Sequence, residues 1–485
     1  MQQEIHQLEP QAVWKHFANL NAVPRPSKKE ERVIAFMEKF GASLGLETFQ
    51  DEVGNVIIRK PATAGMESKK TVVLQSHLDM VHQKNNDTVF NFDQDGIQMY
   101  VEGDWVKAKG TTLGADNGMG VAAIMALLES DSIPHPPLEA LFTIDEETGM
   151  TGAKGLKPGV LKGEILLTLD TEEDNEIDIG CAGGIDITAE GTYDMVDLPK
   201  DSIGYKLTVN GLNGGHSGMD IHRGLGNANK IMNRLLYEAS NAGEIAILNI
   251  AGGGLRNAIP RESVAQFAVL SQQAAVEKAI KNLAKDIQKE LSFTESKLKI
   301  SLTEHKMEGG CMQQNSQNSL IAALYGVHNG VFAMSPAIEG LVETSNNLAR
   351  VEIGDGKIKI GCLTRSSVES GKYDLAHSIK SVFQLAGYEV TLSGEYPGWS
   401  PDPNSEILTV LKSQYEKLFD HTPEVVACHA GLECGILGSH YPDMDMISFG
   451  PNIKGAHSPD ERVQISSVQK FWKFLKMILT QIPNK

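Results

Sequence analysis

The sequence has little cysteine. Five occur in 485 residues, at positions 181, 311, 362, 428 and 434, an odd number with no Cys-x-x-Cys pair. A disulfide framework and a thiolate zinc site are therefore not expected, and a reducing, cytoplasmic compartment is. Any bound metal must then be held by histidine and carboxylate. No run of about 18 consecutive apolar residues occurs, which excludes a membrane-spanning helix. The opening Met1-Gln-Gln-Glu-Ile-His6 has neither a basic n-region nor an apolar h-region, so a secretory signal is not expected. Positive charge is also in deficit. The formal net charge of −18 argues against nucleic acid and anionic membrane as partners. Internal repeats and low-complexity tracts are missing as well.

What is present is the pattern of a globular protein with more than one core. The hydrophobic content is 41% and the mean hydropathy −0.20, ordinary values. The length exceeds one typical core, so two domains are expected. Ser27-Lys-Lys-Glu30 has capping-box spacing ahead of Val33, Ile34, Phe36, Met37 and Phe40, a helical pattern. Residues 55–59, 71–75, 138–144 and 164–169 read as short buried strands. Residues 118–130 are apolar nearly all round and read as a buried helix. Strands alternating with helices predict an α/β domain around a mixed, largely parallel sheet.

Near Gly180-Cys-Ala-Gly-Gly184 the character changes to α+β, with a strand near 205–209 and helices near 227–238 and 276–291. Tyr396-Pro-Gly-Trp-Ser-Pro-Asp-Pro403 reads as a linker or turn. Beyond it the α/β character returns, with a strand at 444–449 and a final helix striped by Val468, Phe471, Trp472, Leu475, Leu479 and Ile482. The expected architecture is a catalytic domain of residues 1–186 and 396–485, with 187–395 inserted as a lid.

Candidate chemistry gathers where these strands end. His77-Leu-Asp79 follows one strand directly. Residues two apart on an extended segment face the same way, so Asp79 can hold the ring nitrogen that His77 does not offer to a metal. Asp116 lies in the glycine-flanked Gly114-Ala-Asp-Asn-Gly118, where a helix N-cap is an equally good reading. Asp145-Glu-Glu147 follows another strand. Neighbours on an extended chain point opposite ways, so one glutamate can bind a metal while the other faces a water. Asp170 ends a buried strand, and His457 lies in the loop after another. Each alone reads as well as a turn, a cap or a solvated loop. Together they supply two imidazoles and three carboxylates, what two divalent ions about 3.5–4 Å apart need. Three carboxylates and a bridging hydroxide also neutralise two such ions.

Ser76-His-Leu-Asp-Met80, Gly114-Ala-Asp-Asn-Gly118, Asp145-Glu-Glu147, Leu169-Asp170 and Gly455-Ala-His-Ser458 together resemble the aminoacylase and carboxypeptidase-G family of di-metal hydrolases. Gly214-Gly-His-Ser-Gly218 and Arg256-Asn-Ala-Ile-Pro260 resemble that family's lid domain, and the motifs run in family order over nearly the whole chain. The resemblance implies that Asp116 bridges two metals. One metal takes His77 and Asp170, and the other takes Glu147 and His457. Glu146 is then the general base, Asp79 orients His77, and His216 stabilises the oxyanion. Asn257, Arg365 and Glu433 fall to the substrate side, with Arg365 as a carboxylate clamp and no defined role for Glu433.

The implied activity is metal-dependent hydrolysis of dipeptides with free termini, Xaa-His dipeptides included. The implied cofactor is a pair of divalent ions, Zn²⁺ first, with Co²⁺ and Mn²⁺ also suited to the donors. The implied assembly is a homodimer. Three alternatives remain at this level. The same cluster could serve an N-acyl amino-acid deacylase or an aminopeptidase. A catalytically dead relative would lack Glu146 or a ligand, and none is missing. A cysteine hydrolase would use Cys181, or Cys428 with His429.

Overall fold

The computed structural model describes residues 2–485. The chain forms two compact units. The first comprises the residues up to Gly180 together with Pro401–Ala427 and Leu432–Lys485. The second comprises Cys181–Ser400 and Cys428–Gly431. These divisions lie outside the boundaries expected at 186/187 and 395/396, for a backbone reason. Cys181 and Trp399 exchange N–H···O hydrogen bonds of 2.9 Å, and Ala182 N–H donates to the carbonyls of Cys428 and Ala430 at 3.0 Å. Those pairings hold both connecting segments and residues 428–431 in the second unit. The stretch read as a linker is thus partly paired.

The first unit is built on an eight-stranded sheet. Its order is Glu47–Gln50, Val56–Lys60, Leu138–Thr143, Val72–His77, Ile165–Thr168, Asp445–Ser448, Glu176–Cys181, Glu424–Cys428. The four strands from Leu138–Thr143 to Asp445–Ser448 run parallel. Glu47–Gln50 on Val56–Lys60, Val56–Lys60 on Leu138–Thr143 and Asp445–Ser448 on Glu176–Cys181 pair antiparallel, so the sheet is mixed. Val72–His77 and Leu138–Thr143 are buried along their whole length, which is why they read as apolar runs rather than alternating ones. After Val72–His77 the chain places its next parallel strand, Leu138–Thr143, on one side and then Ile165–Thr168 on the other. Such a reversal opens a crevice at the carboxyl ends of the strands.

Helix Ala115–Glu129 packs on Val72–His77 and on helix Gln11–Asn21 and is buried nearly all round. Its first residues are not helical: Asp116 has φ −78°, ψ 112° and Asn117 φ −103°, ψ 28°. The Asp116 carboxylate lies against His77 and His457 rather than on an amide of the helix start, so it does not serve as the N-cap that its position in the sequence allowed. The capping box is also not formed. Helix Glu31–Ser43 lacks a side-chain cap. Ser27 Oγ instead donates to Asp79 Oδ2 at 2.8 Å, and Glu30 Oε1 accepts the N–H of Asp145 at 3.2 Å. Both residues serve the strand-end loops rather than the helix.

The second unit has a nine-stranded antiparallel sheet, in the order Lys299–Glu304, Ile203–Asn210, Ser263–Val269, Ile245–Gly253, Val342–Gly354, Lys357–Ser366, Gly183–Thr192, Glu389–Tyr396, with Gly330–Met334 also on Val342–Gly354. Helices Ala228–Ala242, Gln273–Glu290, Gln314–Gly326 and Glu369–Leu385 contribute Leu235, Ile280, Leu320 and Phe383 to its core. Among the described residues, no helix is long and apolar enough to cross a membrane.

Candidate metal centre

The parallel strands of the first unit all end at one edge, and each end delivers a polar loop. Val72–His77 ends on His77 itself. Leu138–Thr143 runs into Asp145–Glu147, Ile165–Thr168 into Asp170, and Asp445–Ser448 into the segment that carries His457. Ile453–Lys454 pairs with Arg462–Gln464, so His457 sits at the tip of a hairpin. Its φ of 63° gives the tip a left-handed turn.

Two groups of donors that share Asp116 form there, beside a third made of His77, Glu146 and Glu147. His77, Asp116 and Asp170 make one, and Asp116, Glu147 and His457 the other, with the ligand atoms of each group all within 4.8 Å of one another. Asp116 belongs to both. Its Oδ1 lies 3.1 Å from His77 Nε2 and its Oδ2 3.2 Å from His457 Nε2. Asp170 Oδ1 is 3.7 Å from His77 Nε2, and Glu147 Oε2 is 3.0 Å from His457 Nε2. Glu146 Oε2 is 3.9 Å from His77 Nε2. Glu147 Oε1 is buried with no hydrogen-bond partner. Leaving such an oxygen unmatched is costly. That orphan oxygen, and a donor set of nitrogen and oxygen only, fit a pair of divalent cations.

The three adjacent acids are not arranged as an extended chain would arrange them. Asp145 has φ 51°, and residues 146–149 form a turn. The hydroxyls of Thr148 and Thr151 donate to the Asp145 carboxylate, which turns it into its own loop. Glu146 and Glu147 are set instead by Asp79, whose Oδ1 accepts the N–H of Glu146 at 3.0 Å and whose Oδ2 accepts that of Glu147 at 3.3 Å. Asp79 also lies beside His77 as expected, with Oδ1 3.4 Å from Nδ1. The shorter contact of Nδ1 is to the Asp79 backbone carbonyl, at 3.2 Å.

The electrostatics follow from packing so many acids together. Burial pushes the Glu146 carboxyl well above its ordinary range; His77 opposes this, and Glu433, Glu147 and Asp116 add to it. Burial raises Asp170 in the same way. Asp116 goes down despite its burial, because both imidazoles hold it. His457 rises to about 11 through its hydrogen bonds to Asp116 and Glu147.

Glu433 lies beneath the strand ends. It is 4% exposed, and its Oε2 accepts from Gln75 Nε2 at 2.7 Å and from Thr143 Oγ1 at 2.6 Å. It is a buried residue whose other oxygen, Oε1, has no hydrogen-bond partner. Arg25 and Glu461 also reach this site. They lie in segments of unrelated sequence, and no spacing rule points to them.

The remaining candidates lie in the second unit. His216 Nδ1 accepts the N–H groups of Gly218 and Met219, at 3.2 and 3.1 Å. The ring hydrogen is thereby assigned to Nε2, which is left as a donor. Burial and then the Arg365 charge lower its pKa, against Asp220, which raises it. Arg365 is buried, with Nε donating to Ser217 Oγ at 3.2 Å and Nη1 to Tyr396 Oη at 2.6 Å; its Nη2 lies 3.4 Å from His216 Nε2. Asn257 is exposed, on the strip whose carbonyl accepts from Ser217 N–H at 2.8 Å. His429 directs Nε2 to Ser345 Oγ at 2.8 Å, and Cys428 Sγ donates to the Ala430 carbonyl. The histidine of the cysteine-hydrolase alternative is thus engaged with a serine.

Residues 73–481 match the model of peptidase family M20/M25/M40. The chain is 45% identical over 483 residues to the cytosol non-specific dipeptidase of Escherichia coli (strain K12), covering 99% of this chain and 100% of that protein. It is similar in structure to aminoacylhistidine dipeptidase from Vibrio alginolyticus, with a TM-score of 0.95 and 44% identity over 99% of this chain and 98% of that one. Aminopeptidase PepT from Bacillus cereus shares the fold, with a TM-score of 0.58 and 16% identity over 98% and 99% of the two chains.

Proposed function

The chain belongs to peptidase family M20/M25/M40, and on that footing we propose that it is a two-metal dipeptidase that hydrolyses dipeptides with free termini, Xaa-His dipeptides included. The observation that carries the reading is Asp116, one carboxylate shared between two donor groups. His77 and Asp170 complete one metal site, and Glu147 and His457 the other. When bound, the two ions polarise the scissile carbonyl and acidify a water.

The chain's own groups do the rest. Glu146 takes the proton from that water and returns it to the departing nitrogen. Asp79 orients His77 and anchors the Glu146 backbone. His216 offers its Nε2–H to the developing oxyanion. Arg365 pairs with the substrate's free carboxylate through its fork of donors, and Asn257 positions the backbone of the substrate. The reading also takes Zn²⁺ as the metal, a homodimer as the assembly and the cytoplasm as the compartment. Metal analysis, sedimentation and cell fractionation test these three.

Glu146→Gln tests the mechanism. Turnover is expected to fall by about 10²–10⁴-fold while metal content is unchanged. Near-normal turnover by a variant that keeps both metals would sink the scheme. A panel of β-alanyl-histidine, other Xaa-His dipeptides, tripeptides and N-acetyl amino acids tests the substrate class. Faster cleavage of tripeptides or N-acetyl amino acids would move the chain to the aminopeptidase or deacylase reading.

A further inference from the structure

We propose that Arg25 and Glu461 are positioning residues that pre-set the Asp116 loop for metal, one from the carbonyl side of its backbone and one from the amide side. The inference rests on Asp116 being a metal ligand, as assigned above.

Glu461 collects four consecutive amides. Its Oε2 accepts the N–H groups of Leu113 and Gly114 at 2.7 and 2.9 Å, and its Oε1 those of Ala115 and Asp116 at 2.7 and 3.2 Å. These four amides precede the regular turns of helix Ala115–Glu129, and near a helix start a side chain close in sequence usually takes one or two such donors. Here a single carboxylate some 345 residues away takes the whole set. Glu461 is the last residue before strand Arg462–Gln464, so the hairpin that presents His457 also clamps the loop that presents Asp116.

Arg25 works from the other side. Its Nη2 donates to the Gly114 carbonyl at 2.6 Å, and its Nη1 donates to the carbonyls of Leu78 and Asp79 at 3.0 Å each. The Asp79 carbonyl is the same group that His77 Nδ1 contacts at 3.2 Å. One guanidinium therefore ties the His77 segment to the Asp116 loop. The sequence makes room for it. A Cβ added at Gly114 or Gly118 would lie 2.5 or 2.6 Å from Arg25 Nη2. The two glycines that flank Asp116 are thus explained by the space that Arg25 occupies.

Arg25 and Glu461 are only 1% and 2% exposed. Burying two charges is expensive unless their hydrogen-bonding capacity is met. Arg25 Nε has no partner and Nη2 also donates to Asn21 Oδ1 at 3.1 Å, while the other bonds of the pair go to the backbone of the segments that carry His77 and Asp116. Groups that hold ligand segments in this way set the entropy lost when a metal binds, and losing one typically weakens metal affinity by about 10–100-fold. Glu461→Gln replaces an acceptor with an NH₂ that must face two amide donors. Arg25→Lys keeps the charge but loses the fork.

The test is chelator competition for Zn²⁺ alone, and the visible spectrum of the Co²⁺-loaded protein, for the full-length wild type and both variants. Folding of each variant is checked by circular dichroism. Metal affinity lowered by about 10-fold or more in a folded variant, with an altered Co²⁺ spectrum, supports the proposal. Folded variants with affinity within about 2-fold of wild type and the same spectrum overturn it and leave the dipeptidase reading intact. A wild type that binds no Zn²⁺ would remove both. If neither variant folds, hydrogen exchange on the metal-free wild type decides. Slow exchange at the amides of Leu113–Asp116 supports the proposal, and fast exchange overturns it.

Discussion

Asp79 Oδ1 accepts the backbone N–H of Glu146 at 3.0 Å. A residue expected only to orient His77 therefore also holds the proposed base. Its second oxygen takes the Ser27 hydroxyl and the Glu147 N–H. In Asp79→Asn, an amide NH₂ must face at least one of these donors. Turnover is expected to fall by about 10–100-fold, with weaker metal binding. Steady-state kinetics and metal titration of the same preparation check this. Unchanged values for both would show that the contact is incidental.

Glu146 and Glu147 should separate cleanly by substitution. Glu147 places Oε2 3.0 Å from His457 Nε2 and leaves Oε1 unmatched, whereas Glu146 approaches His77 only to 3.9 Å. Glu147→Gln should drop the metal content from about two to about one per chain, the number of closed donor groups left. Elemental analysis after dialysis gives the answer. Two tightly held ions in that variant would place the second metal elsewhere.

Arg365 and Tyr396 should control KM for substrates with a free carboxylate. Arg365→Lys loses the fork, and kcat/KM for a dipeptide is expected to fall by about 10–100-fold, the range of one or two charge-assisted hydrogen bonds. Tyr396→Phe removes only the 2.6 Å contact to Nη1 and should cost about 3–10-fold. The matching dipeptide amides should be nearly indifferent to both changes. An equal loss on acid and amide would mean a general structural defect.

Asp178 makes stability depend on pH. Burial pushes its carboxyl up to about 7, against the Thr171 hydroxyl that favours the charged form and with Glu176 adding to the rise. The folded protein therefore holds this proton more tightly than the unfolded chain, whose carboxyl has its ordinary pKa of about 3.9. Between about pH 4 and 7 the contribution of Asp178 to stability falls as pH rises, and above about 7 the whole penalty is present. Asp178→Asn keeps the acceptor for Thr171 and removes the charge. It should raise the melting temperature at pH 8 and change it little at pH 4, with a gain on the order of 2–4 kcal/mol at the higher pH. Thermal melts at the two pH values check this, and equal shifts at both would contradict it.

Much of the first unit could be read from the chain alone, because its signals are local. Strands such as Val72–His77 are buried on both faces and so appear as unbroken apolar runs, and helix Ala115–Glu129 is apolar all round for the same reason. Strand ends then mark where to look for donors, and His77, Asp116, Asp170, His457 and the Glu146–Glu147 pair could be picked out there by residue type and position, with Glu147 assigned as the ligand only by the resemblance. Local rules failed where distant segments compete for the same groups. Ser27 and Glu30 have capping spacing but bond to Asp79 and the Asp145 backbone. Alternation along an extended chain did not apply to Glu146 and Glu147, which lie in a turn.

By itself the sequence determined the alternation of elements and the acids and histidines at the strand ends. Each of these depends only on residue type and spacing. Only the tertiary structure decided which of those groups meet: that Asp116 is shared by His77 and His457, that Asp145 turns away, that Glu433 is buried, and that Arg25 and Glu461 grip the Asp116 loop. These pairings join residues tens to hundreds of positions apart. Sequence spacing carries no information about them, because they exist only once the parallel strands have brought their ends to one edge of the sheet.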